Sequence, residues 1–230
     1  MKKRTINIIL AVILITISGI AIYEYQRTYI GRVFDYIYNK GIWGRDGVGR
    51  GWSGAGSKVS TNIEYIKYVE SFIVENSIKS VVDAGCGDWT FSKEINWQGA
   101  KYLGIDISNV VINHVKKYES DNIRFEVGDV TDNLPPADLL LCKDVLQHLP
   151  NKYIIRFIKN NLRPDKFRWA IITNDLLKSG ENSDIKVGYH RMIDLSKAPF
   201  YVKGLINLPI RFGNDEYSLY KTAQKLQLTL

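Results

Sequence analysis

The sequence predicts an α/β protein built on a mostly parallel sheet with helices on both faces. Three observations carry this. From residue 61 onward, short β-branched or apolar runs alternate with stretches of helical apolar spacing. One of those runs, DLLLC at 138–142, is too apolar to face water on either side, as in a parallel strand covered by helices. The first run, SVVDA at 80–84, passes directly into a turn holding two glycines, Gly85 and Gly87.

The elements follow in order. After Lys2, Lys3 and Arg4, residues 6–22 are nearly all apolar and uncharged, close to the ~17–25 residues that cross a bilayer core. Two readings compete for this run. A cleaved signal peptide would use the small-x-small triplet at 19–21. A retained N-terminal transmembrane helix fits the length, which exceeds the ~7–15 residues of a signal core. It also fits the aromatics that follow at once, Tyr23, Tyr25 and Tyr29. The retained anchor is the expectation. Residues 23–42 continue as an amphipathic helix or stalk, and GIWGRDGVGRGWSGAGS at 41–57 is a glycine-rich loop. It misses a phosphate loop, because Ser57-Lys58 is the wrong order after Gly51 and Gly56 and no strand precedes it. It is either a linker or a lid. Trp43 and Trp52, costly residues in a mere linker, favour the lid. The expected division is an anchor at 1–25, a stalk and loop at 26–57, and a catalytic domain at 58–230.

Within that domain the apolar spacing of Ile63, Ile66, Val69, Phe72 and Ile73 predicts a helix. Strands are expected at 80–84, 102–107, 123–127, 138–142 and 169–173, and helices at 90–95, 109–118 and 152–162. The tail is less regular, and a closing antiparallel pair is expected near 192–195 and 217–226.

Composition bounds the function. The chain has 230 residues, 45% hydrophobic and 24% charged, enough for one domain with a core. The net charge of +7 is concentrated at the start: residues 1–50 hold eight Lys/Arg against three acids, and the rest is nearly neutral. A nucleic-acid partner is therefore disfavoured, and a membrane surface fits the basic flanks better. Cys86 and Cys142 make neither a disulfide framework nor a zinc pattern, and no metal site is expected.

Ligand chemistry is written at the strand ends, where open parallel sheets bind. The turn after the first strand departs from G-x-G-x-x-G, with Thr90 in the third position. Asp83 and Asp88 bracket it with negative charge, which repels a pyrophosphate and suits a cation such as an ammonium or sulfonium. Asp106 ends the second strand, about where a carboxylate accepts from both ribose hydroxyls. Asp129 follows the third, placed for an adenine amino group, with Val130 beside it. Three acids at three successive strand ends describe an adenosine with a cationic tail, and S-adenosylmethionine fits.

These residues resemble the class I, Rossmann-like S-adenosylmethionine-dependent methyltransferases. VVDAGCGDW looks like their glycine-loop motif, Asp106 like their ribose-binding acid and Asp129 like their adenine-side acid. LLLCKDVLQHLP at 139–150 resembles the fourth-strand motif of the small-molecule type, and lacks the Asn/Asp-Pro-Pro-aromatic of base and amide methylation. The resemblance covers roughly residues 62–173. It implies a cofactor shell of Asp83, Gly85, Gly87, Asp106, Ile107, Asp129, Val130 and Lys143. Asp144 and His148, i and i+4 past the fourth strand, are the expected catalytic pair, since an oxygen acceptor needs a base. His190 and Arg191 are further polar candidates. The expected function is a membrane-anchored methyltransferase with a small-molecule or glycan-type acceptor. Its rivals are a protein methyltransferase acting on a membrane-associated partner and a non-catalytic scaffold on the same fold. Lys2, Lys3 and Arg4 nearly balance Arg27, Arg32 and Lys40, so charge leaves the topology open. A cytosolic cofactor and two unpaired cysteines favour a domain facing the cytosol.

Overall fold

The computed structural model describes residues 2–213 and 221–228, except for the side chains of residues 2–7, 10, 11, 14 and 19. One helix, α1, runs from Lys2 to Lys40 without a break. Among the described residues no helix is long and apolar enough to cross a membrane. The transmembrane helix expected over residues 6–22 is therefore not supported there, and part of that run lies outside the described residues. The second half of α1 is amphipathic: Glu24 and Arg32 are exposed and Arg27 and Asp35 partly so, while its apolar face packs on the domain. Tyr23 hydrogen-bonds Asp132 while the Arg156 guanidinium stacks over its ring at 4.9 Å. Ile30, Phe34, Ile37 and Tyr38 are buried at a spacing of three and four. Each contributes about 1.5–3 kcal/mol by that burial. Of the two readings of residues 23–42, the amphipathic helix is the one found, through Lys40, with its apolar face packed on the domain.

The body is a seven-stranded sheet in the order β3-β2-β1-β4-β5-β7-β6. The first five strands of the chain, β1 (Ser80–Ala84), β2 (Lys101–Asp106), β3 (Ile123–Val127), β4 (Ala137–Lys143) and β5 (Phe167–Asp175), are parallel to one another, with β3 at the sheet edge. β7 (Lys221–Gln227) runs antiparallel to β5, and β6 (Ile206–Asn207) antiparallel to β7. Alternate strand residues feed two cores. Val81, Leu139, Leu141 and Ile171 face α2 (Ile63–Glu75) and α3 (Asn109–Val115). Val82, Leu140, Ala170 and Ile172 face α4 (Asn151–Asn161) and the second half of α1.

Two expected elements differ. Residues 90–95 form a turn with a single 3-10 segment at Ser92–Glu94 in place of a helix. Six residues are too few to carry the cost of helix nucleation, and Trp89 sits in the left-handed region at φ +59°. The partner of the closing strand is β6, whereas 192–195 contributes only one bridge, Ile193 to Leu176. Residues 217–220 of that expected strand lie outside the described residues.

Candidate active site

Strand order reverses between β1 and β4, which opens a crevice beyond their C-terminal ends. A cavity of about 430 Å³ lies there. All ten residues expected to hold cofactor or perform catalysis line it: Asp83, Gly85, Gly87, Asp106, Ile107, Asp129, Val130, Lys143, Asp144 and His148.

The glycine turn needs its glycines for local reasons. Gly85 has φ +86°, and a Cβ there would stand 2.3 Å from the Val145 side chain. Gly87 has φ +55°, and its Cβ would meet Ser53 Oγ at 2.5 Å. The chain can reach a left-handed turn under two other segments only without side chains at these positions. The turn is tied to β2, since the Gly87 amide donates to Asp106 Oδ2 at 3.1 Å. The Ser108 amide donates to Asp106 Oδ1 at 2.9 Å. Each oxygen keeps a further lone pair for a diol.

The three strand-end acids are all buried. Burial pushes Asp83 up to about 6, against the Tyr102 hydroxyl that donates to it at 2.6 Å and the Lys143 charge. Burial likewise pushes Asp106 up to about 6 against the two amide bonds. Asp129 is raised by burial as well, although the Thr131 amide donates to its Oδ1 at 2.8 Å. Its other oxygen, Oδ2, is buried with no hydrogen-bond partner among the described residues. A buried carboxylate oxygen left in this state wants a donor. An adenosine-type ligand with a cationic tail fits the set: an amino group for Asp129, a diol for Asp106, and positive charge beside Asp83 and Asp88.

The fourth-strand motif is an ionic floor. Asp144, at φ +59°, pairs with Lys143 at 2.8 Å and with Lys221 from β7. Burial alone would raise its carboxyl, but the two ammonium groups hold it well below the usual carboxylate range. It is an ionised pairing group and a poor proton acceptor. Lys143 is itself lowered to about 8 by burial, with Asp144 opposing. His148 hydrogen-bonds through Nδ1 to the Tyr189 carbonyl at 3.0 Å. A carbonyl only accepts, so Nδ1 carries the proton and Nε2 keeps its lone pair. Burial pushes His148 down to about 4, which leaves the ring neutral at physiological pH.

The rest of the wall comes from residues that strand-end reasoning did not reach. Phe34, Tyr38 and Ile30 of α1 line the cavity, as do Ser53 and Lys221. The glycine-rich loop is fastened over the turn. The Ser53 amide donates to Asp88 Oδ2 at 2.8 Å, the Asp88 amide donates to Ser53 Oγ at 3.0 Å, and Tyr38 bonds the same Oγ at 2.9 Å. Lys143 Nζ reaches the Gly56 carbonyl at 3.2 Å. Trp43 packs 5.0 Å from the His148 ring, while Trp52 stays off the wall and donates to the Trp43 carbonyl. His190 lines the cavity, but Arg191 does not. Its guanidinium is buried against the Leu149 carbonyl and Asn151. A periodic apolar pattern in α1 was the available signal for Phe34 and Tyr38; nothing local marks Lys221. Among the described residues no cluster suited to a metal ion is found.

Residues 75–176 match the family described as "Methyltransferase domain". The chain is 31% identical over 101 residues to the ubiquinone biosynthesis O-methyltransferase of Coxiella burnetii, covering 41% of this chain and 42% of that protein. It is 29% identical over 99 residues to the trans-aconitate 2-methyltransferase of Deinococcus radiodurans, covering 42% and 38%. The chain thus spans about two fifths of the length of these curated relatives. The magnesium protoporphyrin IX methyltransferase of Synechocystis PCC 6803, solved with SAM bound, superposes with a TM-score of 0.56. The match covers 88% of this chain and 97% of that one, at 18% identity, a likeness of fold. With the sheet order and the glycine turn, residues 75–176 are thus similar to a methyltransferase domain, on a Rossmann-like α/β fold.

Proposed function

We propose that the protein transfers a methyl group from S-adenosylmethionine to a small-molecule or glycan-type acceptor, working at a membrane surface. One observation carries the cofactor: three buried acids around one cavity, with Asp129 Oδ2 lacking a donor among the described residues. Asp129 holds the adenine edge, Asp106 the ribose, and Asp83 the cationic tail. The bound cofactor supplies an already activated methyl group, so the protein's task is alignment and exclusion of water. Loop 41–57, pinned through Ser53 and Lys143, excludes water. The Asp144–Lys143–Lys221 floor fixes the post-β4 segment, and His148 offers neutral Nε2 to orient an acceptor hydroxyl. The relatives are named for ubiquinone biosynthesis and for trans-aconitate, which supports a small acceptor.

The membrane part rests on α1. Ile8, Ile9, Val12, Ile13, Ile15, Ile17, Ile20 and Ile22 are all exposed along it, a concentration of apolar side chains that water does not tolerate well. We propose that this stretch is a retained anchor and that the domain faces the cytosol, where its cofactor is made.

Isothermal calorimetry on the full chain tests the cofactor. S-adenosylmethionine binds and NAD does not, and Asp106→Ala weakens binding by about 1–3 kcal/mol, the cost of unpaired ribose hydroxyls. Tighter binding of NAD would refute the reading.

A further inference from the structure

We propose that Asp175 and His190 form a proton-accepting dyad on the acceptor side of this cavity, in which His190 is a catalytic residue and Asp175 its positioning residue. The proposal rests on the methyltransferase reading and deepens it. His190 Nε2 lies 2.7 Å from Asp175 Oδ2, and both residues line the cavity. A carboxylate only accepts, so the proton of the neutral ring sits on Nε2 and the lone pair on Nδ1. A carboxylate behind an imidazole fixes its tautomer and stabilises the imidazolium that forms on proton uptake.

The chain builds this pair deliberately. Asp175 ends β5, and the loop after it returns so that the Ile193 amide donates to the Asp175 carbonyl at 2.9 Å. Two bonds then hold the segment carrying His190 against the segment after β4: the Gly188 amide to the His148 carbonyl, 3.0 Å, and the Arg191 amide to the Gln147 carbonyl, 3.2 Å. The buried Arg191 guanidinium anchors the same junction. Gln147 Oε1 takes the Asp175 amide at 2.7 Å. Asp175 Oδ1 is buried without a hydrogen-bond partner among the described residues, so the carboxylate's one strong contact is the imidazole.

The division of labour follows. His148, 5.6 Å from His190 between ring centroids, is a neutral acceptor that orients a hydroxyl but holds a proton poorly. As the acceptor oxygen bonds to the methyl carbon, the carbon–sulfur bond breaks with its electron pair going to sulfur, which becomes a neutral thioether, and the acceptor's O–H bond breaks. The electron pair stays with oxygen, and the proton goes to Nδ1 of His190. The positive charge of the sulfonium thereby ends on an imidazolium paired with Asp175. The third histidine, His114, is bonded to Arg50 and does not line the cavity.

The test uses the full chain in mild detergent with 15N-labelled histidine, assigned by single variants of the three histidines, with and without S-adenosylhomocysteine. His190 should show the Nε2–H tautomer, Asp175→Ala should collapse it to an averaged signal, and Asp175→Glu should restore it. His190→Ala should slow transfer of labelled methyl from S-adenosylmethionine to the lysate component that the wild type labels, by about 10²–10⁴-fold. Its affinity for S-adenosylhomocysteine should not change. A chain that binds no S-adenosylhomocysteine removes the cofactor reading and the dyad with it. Binding with an averaged His190 tautomer, one indifferent to Asp175→Ala, or a His190→Ala chain that transfers at the wild-type rate overturns the dyad alone.

Discussion

Cofactor affinity should fall steeply as pH drops from 7 to 5. Asp83 and Asp106 are buried and held up at about 6 in the ligand-free protein. Both must be ionised to serve a cation and a diol. A carboxyl of pKa about 6 is roughly nine-tenths ionised at pH 7 and one-tenth at pH 5, so each group weakens binding about tenfold, or ~1.4 kcal/mol. The pair sets a ceiling of about a hundredfold. The sign for folding is opposite. A carboxyl raised above its unfolded value lends stability fully present below about pH 4 and lost as pH rises through about 6. Asp83→Asn, which keeps an oxygen for the Tyr102 hydroxyl, should therefore stabilise the ligand-free chain at pH 7, by about 1–3 kcal/mol, while losing cofactor. Calorimetric titration with S-adenosylmethionine from pH 5 to 7, on wild type, Asp83→Asn and Asp106→Asn, reads the effect, and each variant should remove about half of the slope. An affinity flat across that range, or a slope untouched by both variants, would refute the reasoning.

Other outcomes follow from the same cavity. Gly85→Val and Gly87→Val should each lower cofactor affinity more than tenfold in a folded chain, because the new side chains strike Val145 and Ser53; unchanged calorimetry would make the turn incidental. With Trp89 replaced by Phe in both, Trp43→Phe should abolish a ligand-dependent fluorescence change that Trp52→Phe only reduces, since Trp43 and Trp89 stand on the wall and Trp52 behind it; equal loss in both would refute this. A chain beginning at Tyr23 should bind cofactor, whereas one beginning at Gly41 should not, having lost the Ile30, Phe34 and Tyr38 wall; equal binding by both would mean that α1 is dispensable. Protease treatment of sealed vesicles of known orientation should digest the C-terminus from the cytosolic side, and protection there would contradict the proposed topology.

How far the sequence could be read depended on how local each signal was. β1 and β3 are found at the expected bounds, and β4 and β5 extend the expected runs by a residue or two at each end; β1, β4 and β5 are nearly continuous apolar runs buried on both faces, whereas the edge strand β3 shows itself by alternation around Phe125. The acids were legible because each stands at or just beyond the C-terminal end of a strand. β6 is two exposed residues and leaves no pattern to find. Lys221 and Asp175 matter through pairings 77 and 15 residues away, with Asp144 and His190, and no spacing rule reports those. Asp144 read as a base because it follows a strand beside the cavity; only the two lysines that converge on it reveal a carboxylate already committed.

The most direct measurement of the central claim is methyl transfer itself. Full-length chain is incubated with methyl-labelled S-adenosylmethionine and membrane and soluble fractions of lysate, beside Asp106→Ala. The account predicts label in an extractable small molecule or glycan with the wild type and none above background with the variant. Cofactor binding with no transfer to any fraction would contradict it and leave a scaffold that only binds.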